Sequence, residues 1–562
     1  MTVEVENVNV SARLNWTAQQ FPRSTAIVVP TTRNASGRRN YKTCTFQELD
    51  AECTTLAAGL HALGVRPGTR VALLVRPGIE FIALTFAILR AGAVIVLIDP
   101  GMGRKNLIGC LQAVDPEGFV AIPLVHAVRK ILGRRFPRAR YNVTLGHRWF
   151  WDGVTLDQLR ALGKQRGASC PDRWEAAPDD PAAIIFTTGS TGPPKGVLYR
   201  HGNFSRQVDE LRDFYQIQPG EIDLPGFPLF ALFNCAMGVT TVVPDMDPTR
   251  PAQVNPRHIV EAIQDWQVTQ AFGSPALWNV VAKHCQKERV RLPSLRRVLS
   301  AGAPVPPHVL RTLKNAIAPG GDIHTPYGAT ESLPVSSIAA SEILDGTEKA
   351  SRVGAGTCVG RPFPGIEWRV IRVSDSVIPH VEDSMELPNG EIGELIVCGG
   401  VVTTEYVTRR EMNAISKIQD GERLWHRMGD VGYLDEKKRF WFCGRKAHRV
   451  ITDRGTLFTI PCEAVFNEHP EVNRSALVGT GETDAKNPVV IIEPFPDRMP
   501  RKASHRKRFA RELKQMADRH PHTDRIVQFL FHPGFPVDIR HNAKIFREKL
   551  AVWAEKQLDR MS

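Results

Sequence analysis

The nine residues between Phe186 and Gly196, TTGSTGPPK, set four hydroxyls, two glycines and two prolines ahead of one lysine. Glycines let backbone N–H groups approach an anion closely, hydroxyls add donors, and lysine adds charge. Phosphate is the ligand this mixture suits. The nucleotide pattern GxxxxGK[ST] is nevertheless not met. Counting from Gly189, Pro194 occupies the second glycine position, and Gly196 stands where a magnesium-binding hydroxyl should follow Lys195. A phosphate loop of another kind and a flexible surface loop both fit this spacing.

Further stretches with chemically useful side chains follow in order. SAGAPVP (300–306) reads as a glycine-containing turn after a strand. HTPYGATES (324–332) brings Tyr327, Gly328, Thr330 and Glu331 together: an aromatic, a glycine, a hydroxyl and a carboxylate within five residues. LWHRMGDVGYLD (424–435) places Asp430 in an expected glycine-flanked turn, and FCGRKAHRVI (442–451) offers Arg445. HNAKIFREKL (541–550) sets Lys544 at the expected start of a C-terminal helix. A cation there opposes the helix macrodipole, so its placement makes better sense if it meets an anion. Taken singly, each has a plain structural reading: a capped turn, a loop dipeptide, a solvated lysine.

The elements that must hold these residues alternate between strand and helix. Thr45 and Glu48 form a capping-box signature, and the helix they open should end at Gly64. A buried strand is expected at 71–75, then a helix, then a second buried strand in AVIVLID. Continuous apolar strands separated by helices argue for parallel sheets covered by helices. From Arg361 the text changes to short alternating strands with glycine turns, which suggests a smaller β-rich subdomain. Mixed α and β character follows 445–449, where a boundary is expected.

At 562 residues the chain exceeds one ordinary core. Its 42% apolar and 23% charged content is that of a soluble globular enzyme. Ten scattered cysteines without metal-ligand spacing read as thiols in a reducing cytoplasm. The most apolar stretch, 80–100, is interrupted by Arg90 and Gly92, so helix, turn and buried strand fit better than a membrane span. Membrane contact is expected to be peripheral at most. The net charge of +13 is concentrated partly at 498–519. A solvated helix face, docking weakly to an anionic membrane or a partner enzyme, explains that segment better than nucleic acid does. Its arginines have no interleaved base-stacking aromatics.

Taken together and in this order, the motifs closely resemble the acyl-adenylate-forming superfamily of acyl-CoA synthetases, luciferases and peptide-synthetase adenylation domains. The resemblance covers nearly the whole chain. It implies an α/β fold with a large N-terminal adenylate-forming domain, 1–446, and a small mobile α+β C-terminal domain, 447–562. It also implies ATP and Mg²⁺ as cofactors. On this resemblance Thr187, Thr188, Gly189, Ser190, Thr191, Gly192 and Lys195 would hold the β- and γ-phosphates. Gly302, Ala303 and Pro304 would line the adenine, with Tyr327 stacking on it beside Gly328. Thr330 would touch the α-phosphate, while Glu331, with Thr188, would serve Mg²⁺. Asp430 would accept from the ribose hydroxyls, with Arg445 beside it, and Lys544 would be the catalytic lysine.

The departures from the superfamily pattern are informative. Ala447 and His448 follow the motif arginine, where most members have Asp or Lys at 447, the hinge for thioester formation. Ala231 stands where a histidine is common. The segment TDRGTLFTIP has one glycine, Gly455, and NAK replaces NGK at the end. Adenylation machinery looks intact, and the machinery for coenzyme A looks altered. These changes, with DPGMGRKNL (99–107) and the segment 118–136, resemble one branch, the β-lactone synthetases of bacterial long-chain olefin biosynthesis. That branch implies adenylation of a 2-alkyl-3-hydroxyalkanoic acid, ring closure by its own hydroxyl, and no coenzyme A. It further implies a thiolase-like enzyme, a reductase and a lactone decarboxylase as partners. The competing expectations are a long-chain fatty acyl-CoA ligase and an inactive lipid-binding scaffold subunit. No nucleic-acid partner is expected.

Overall fold

The computed structural model describes residues 8–166, 174–187, 192–482, 485–537 and 545–560. Two large sheets organise the first two-thirds of the chain. One is seven-stranded, in the order Val154–Thr155, Tyr141–Thr144, Gly118–Ala121, Arg70–Leu74, Val94–Leu97, Pro181–Phe186, Gly196–Arg200. All its pairings are parallel except the last. The other is nine-stranded. Its parallel centre runs Asp322–Ala329, Arg297–Ser300, Gln270–Gly273, Ile222–Pro225, Thr240–Val242, Thr25–Arg33. The chain is therefore a mixed α/β protein with parallel sheets, as its apolar strands require.

Local signals act where they stand in the sequence. Thr45 caps the helix Phe46–Leu63 through Glu48, and the Glu48 carboxylate reaches back to the Thr45 N–H at 2.8 Å. Gly64 ends that helix at φ 107°, a left-handed conformation that glycine adopts without strain. Helix Ile79–Arg90 is buried at every position from Phe81 to Arg90. It lies in the core cluster that joins both large sheets, so the stretch 80–100 is interior rather than membrane-spanning. Arg90 is tolerated there because Asp50 pairs with it at 2.6 Å and Thr54 accepts a further hydrogen bond. No helix of the described residues is long and apolar enough to cross a membrane.

A six-stranded sheet, antiparallel in every pairing, follows, built from Thr357–Cys358, Ile366–Ile371, Gly393–Gly399, Lys417–Asp420, Arg423–Leu434 and Phe440–Arg445. After Arg449 come a two-stranded ribbon, a three-stranded sheet and helices Thr459–Asn467, Ala503–Ala517 and Arg547–Asp559. The basic segment forms most of helix Ala503–Ala517, which buries Phe509, Leu513 and Ala517. Glu471 and Glu512 pair with Arg508, and Asp518 with Lys514, so part of its charge is neutralised in place.

Candidate active site

The hydroxyl-rich loop closes a β-hairpin. Strands Pro181–Phe186 and Gly196–Arg200 pair antiparallel on either side of it. A nucleotide P-loop instead feeds a helix, which is why the spacing fails that pattern. Two bonds pinch the base of the loop: Thr187 N–H donates to Lys195 O at 3.0 Å, and Lys195 N–H to Thr187 Oγ1 at 3.2 Å. Gly192 lies at its far side near Arg409. Thr188, Gly189, Ser190 and Thr191 lie outside the described residues, and so does Lys544. The C-terminal helix begins at Arg547 rather than at Lys544. Its first turn carries Arg547 and Lys549, and Arg547 meets an anion in Glu463 at 2.6 Å.

Strands Asp322–Ala329 and Ser332–Ala339 form a second hairpin whose turn is Thr330–Glu331. At Gly328 a Cβ would lie 2.7 Å from Ser332 O, so the close approach of the two strands requires glycine. The turn is held from outside: Tyr199 Oη donates to Thr330 O at 2.6 Å, and Thr403 N–H to Glu331 O at 2.9 Å. The Glu331 carboxylate accepts the Tyr406 hydroxyl at 2.6 Å, and Tyr406 Oη accepts from Lys195 Nζ at 2.8 Å. Lys195 Nζ also stands 3.5 Å from Glu331 Oε1. Burial lowers the Lys195 pKa, with the Glu331 charge opposing. Beside this triad Lys417 is buried and donates to Thr403 O. Burial draws its pKa down to about 7, against the pull of Glu331.

Asp430 does not sit in a turn. It lies inside the continuous strand Arg423–Leu434, directly opposite Arg445, with a register shift just after it at Val431/Gly432. The paired glycines that suggested a turn supply a bulge instead, with Gly429 at φ 65°. Arg445 donates to Asp430 Oδ1 at 2.7 Å and to Met428 O at 2.9 Å. The Tyr327 hydroxyl donates to Asp430 Oδ2, and burial, then the Asp430 charge, raises that phenol well above its ordinary pKa. Each carboxylate oxygen keeps a second lone pair for a ligand hydroxyl. Tyr327 and the Thr330–Glu331 turn belong to one hairpin, and the Tyr327–Asp430 bond ties that hairpin to Arg445, so the two clusters are neighbours. Gly302 takes φ 97° just after strand Arg297–Ser300, in the turn that carries Ala303 and Pro304. Ala301 shares a pocket wall with Pro326, which opens this turn beside Tyr327.

Two pockets lie at the carboxyl ends of the parallel strands, where open α/β sheets bind ligands. One is lined by Leu211, Phe230, Phe233, Phe272 and Leu333, among others, with Gln207 as its polar residue. Gln207 is 2% exposed. Its Nε2 donates to Leu333 O at 2.7 Å, while its Oε1 has no hydrogen-bond partner among the described residues. The other pocket is lined by Phe81, Ile82, Pro225, Ala231, Val243 and Met246, among others. Phe230 and Ala231, successive residues of helix Phe230–Ala236, thus each line one of the two.

The structure therefore gathers Lys195, Thr330 and Glu331 in one group and Tyr327, Asp430 and Arg445 in another. Tyr406, Lys417 and Gln207 were not legible beforehand. Tyr406 and Lys417 come from a motif-free stretch that reaches the site only because Tyr406 bridges to Val197 on the loop's own hairpin. The pattern Gly-x-x-x-x-x-Tyr, from Gly400 to Tyr406, carries no signal without the fold.

The model of a family described as AMP-binding enzyme matches residues 14–407. An olefin beta-lactone synthetase of Xanthomonas campestris pv. campestris is 46% identical over 98% of both chains. A protein of the same name from Stenotrophomonas maltophilia is 45% identical, covering 98% of this chain and 99% of its own. Among solved structures, the amide bond synthetase McbA of Marinactinospora thermotolerans superposes with a TM-score of 0.74 over 97% of this chain and 99% of its own, at 22% identity.

Proposed function

The chain belongs to the AMP-binding enzyme family, as an AMP-forming ligase, and from that premise we propose that it makes β-lactones. The substrate in this reading is a long-chain 2-alkyl-3-hydroxyalkanoic acid. Its carboxylate attacks the α-phosphorus of ATP and pyrophosphate leaves. Its 3-hydroxyl oxygen then attacks the acyl carbonyl carbon and loses its proton, and the bond to AMP breaks. What supports the reading is the likeness to two olefin beta-lactone synthetases, 45% and 46% identical over 98% of this chain, together with a pocket whose surface is apolar and suits a lipid chain. In this reading the second alkyl chain enters by the second pocket, whose apolar wall carries Ala231 where relatives in the superfamily commonly have a histidine.

In this reading Lys195 and the loop hydroxyls hold the departing pyrophosphate, and Lys544 neutralises the two anions as they join. Tyr406 keeps Lys195 and Glu331 in register. The adenosine lies between the Gly302–Pro304 turn and Tyr327, its ribose hydroxyls on Asp430. Glu331, a lone carboxylate beside the phosphate loop, fits Mg²⁺, which prefers one or two carboxylates together with phosphate oxygens. Mg²⁺ bound there would stabilise phosphate charge. Coenzyme A has no part, because the nucleophile is tethered to the substrate. Residues 447–562 would form a mobile lid. A reducing cytoplasm suits the free, buried thiols of the described cysteines. A thiolase-like enzyme and a reductase would supply the acid, and a decarboxylase would consume the lactone.

The test is to incubate the protein with ATP, Mg²⁺ and a racemic 2-alkyl-3-hydroxy acid and identify the product by NMR. A four-membered lactone with AMP and pyrophosphate is expected. Robust acyl-CoA formation from an unbranched long-chain acid would instead make the protein an acyl-CoA ligase.

A further inference from the structure

Helix Pro123–Ile131 is built inside out. A surface helix ordinarily turns its apolar stripe inward and its polar face to water. Here the buried residues are His126 and Arg129, while Leu124, Val128 and Ile131 are 68%, 40% and 77% exposed. Those three stand at i, i+4 and i+7, so they form one outward stripe. The inward polar face is satisfied: a His126 ring nitrogen lies 2.9 Å from Val143 O, and Arg129 donates to Asp152 at 3.2 Å. The inversion is thus fixed by the fold.

The stripe does not stand alone. Trp151 is buried and stacks on His126, which brings the loop before it against the same helix. On that loop Trp149 and Phe150 are 63% and 64% exposed. Five large apolar side chains therefore project from one region. Residues 123–150 also contain seven Lys and Arg and no Asp or Glu. Of these Lys130, Arg134, Arg135, Arg138, Arg140 and Arg148 are exposed, and Lys130, Arg134, Arg135 and Arg148 lie on the helix, just after it, or directly before Trp149. Contiguous exposed apolar surface rimmed by charge marks an interaction site. Basic residues beside exposed Trp, Phe and Leu are the composition of a surface that lies in a lipid headgroup layer.

We propose that the outward face of helix Pro123–Ile131, with Trp149 and Phe150, docks the enzyme on an anionic lipid bilayer. The occupant is a bilayer because cations outnumber acids around the stripe, even with Asp152 paired to Arg129 and Lys130 and Glu117 to Arg138, and because the apolar side chains protrude rather than lining a groove that a peptide could fill. Trp149 and Phe150 sit at the headgroup level and the arginines meet lipid phosphates. The site also faces the right way for a lipid enzyme. Helix Pro123–Ile131 leaves the carboxyl end of strand Gly118–Ala121, whose neighbour Arg70–Leu74 leads into Pro77 and Gly78, in the wall of the second apolar pocket. Docking here does not depend on which acid is the substrate.

The experiment is co-sedimentation of the full chain with vesicles of phosphatidylcholine containing roughly one-third phosphatidylglycerol, against pure phosphatidylcholine. The wild type is expected to bind the anionic vesicles and to be released by raised salt. The combined variant Ile131→Ser, Trp149→Ser, Phe150→Ser should lose at least about tenfold in binding. Arg134→Gln with Arg135→Gln should lose on the order of fivefold per arginine on anionic vesicles alone. All five positions are exposed, and retained pyrophosphate exchange with a soluble short-chain acid reports that each variant is folded. Equal binding by wild type and the apolar variant overturns the proposal. So does lipid-free self-association that the same substitutions abolish, since a second copy of the chain would then cover the face.

Discussion

Gln207, whose buried amide lies in the wall of the apolar pocket, offers a test of whether a substrate hydroxyl is recognised there. A buried acceptor without a partner costs about 1–3 kcal/mol, and a substrate hydroxyl would recover part of that. Gln207→Leu should therefore raise KM for the 3-hydroxy acid about tenfold. The analogue lacking the hydroxyl should be adenylated as well as before. Because Gln207 Nε2 also ties down Leu333 O, an equal loss with both acids would reduce the residue to a scaffold for the Thr330–Glu331 turn. Lys544 answers a different question. Its ammonium is expected to neutralise carboxylate and α-phosphate as they join, so Lys544→Ala should slow pyrophosphate release by about 10²–10³. Near-normal release would remove it from the mechanism.

Strand Ile222–Pro225 lies between Thr240–Val242 and Gln270–Gly273 and leads directly into the second pocket. It carries Asp223, whose carboxyl is buried and pushed up to about 7, chiefly by loss of water, with the Asn234 amide 2.6 Å away and Arg297 opposing. A carboxyl whose pKa is raised on folding stabilises the fold fully below its unfolded value near 4. That contribution is lost as pH rises through about 7. Asp223→Asn removes the titration, so its stability relative to wild type should grow from pH 4 to 8, reaching on the order of 2–4 kcal/mol. Denaturant midpoints at the two pH values measure this, and a pH-independent difference would show that Asp223 stays ionised. Such a group illustrates what sequence could reveal. The capping box, the Gly64 stop and the buried helix–strand pair near Arg90 were legible because they depend on neighbours along the chain. Asp430 was misplaced into a turn because paired glycines read alike in a turn and in a bulge. Tyr406, Lys417, Asp223 and Gln207 gain their character from strands distant in sequence. Only sheet order brings those strands together.

How the two ends of the chain are joined bears on which acceptor the enzyme can use. Lys446 is fastened to the six-stranded sheet: its ammonium lies 3.1 Å from Glu394, which is buried with Arg427 at 2.6 Å. Removing one partner from such a cluster costs about 3–5 kcal/mol, so Lys446 is a fixed post. Arg449 pairs with Asp375, which is 70% exposed, and a pair of that kind contributes about 0–1 kcal/mol. His448 meets Glu548 of the C-terminal helix at 3.0 Å. Rotation would thus begin at Ala447, where the superfamily usually carries an acid or a lysine to hold a second, thiol-accepting pose. Nothing at Ala447 can make that contact. An internal hydroxyl needs no second pose: once adenylated, it must only reach about 3–3.5 Å from the carbonyl carbon. We therefore expect saturating coenzyme A to leave AMP formation from the two-chain hydroxy acid unchanged. An unbranched acid without the hydroxyl should release one burst of pyrophosphate per active site and then stall, its adenylate waiting for slow hydrolysis. Rapid-quench measurement of both acids, with and without coenzyme A, checks this. Steady turnover of the unbranched acid that rises with coenzyme A would show that Ala447 is a tolerated hinge variant and that the lid still swings to admit a thiol.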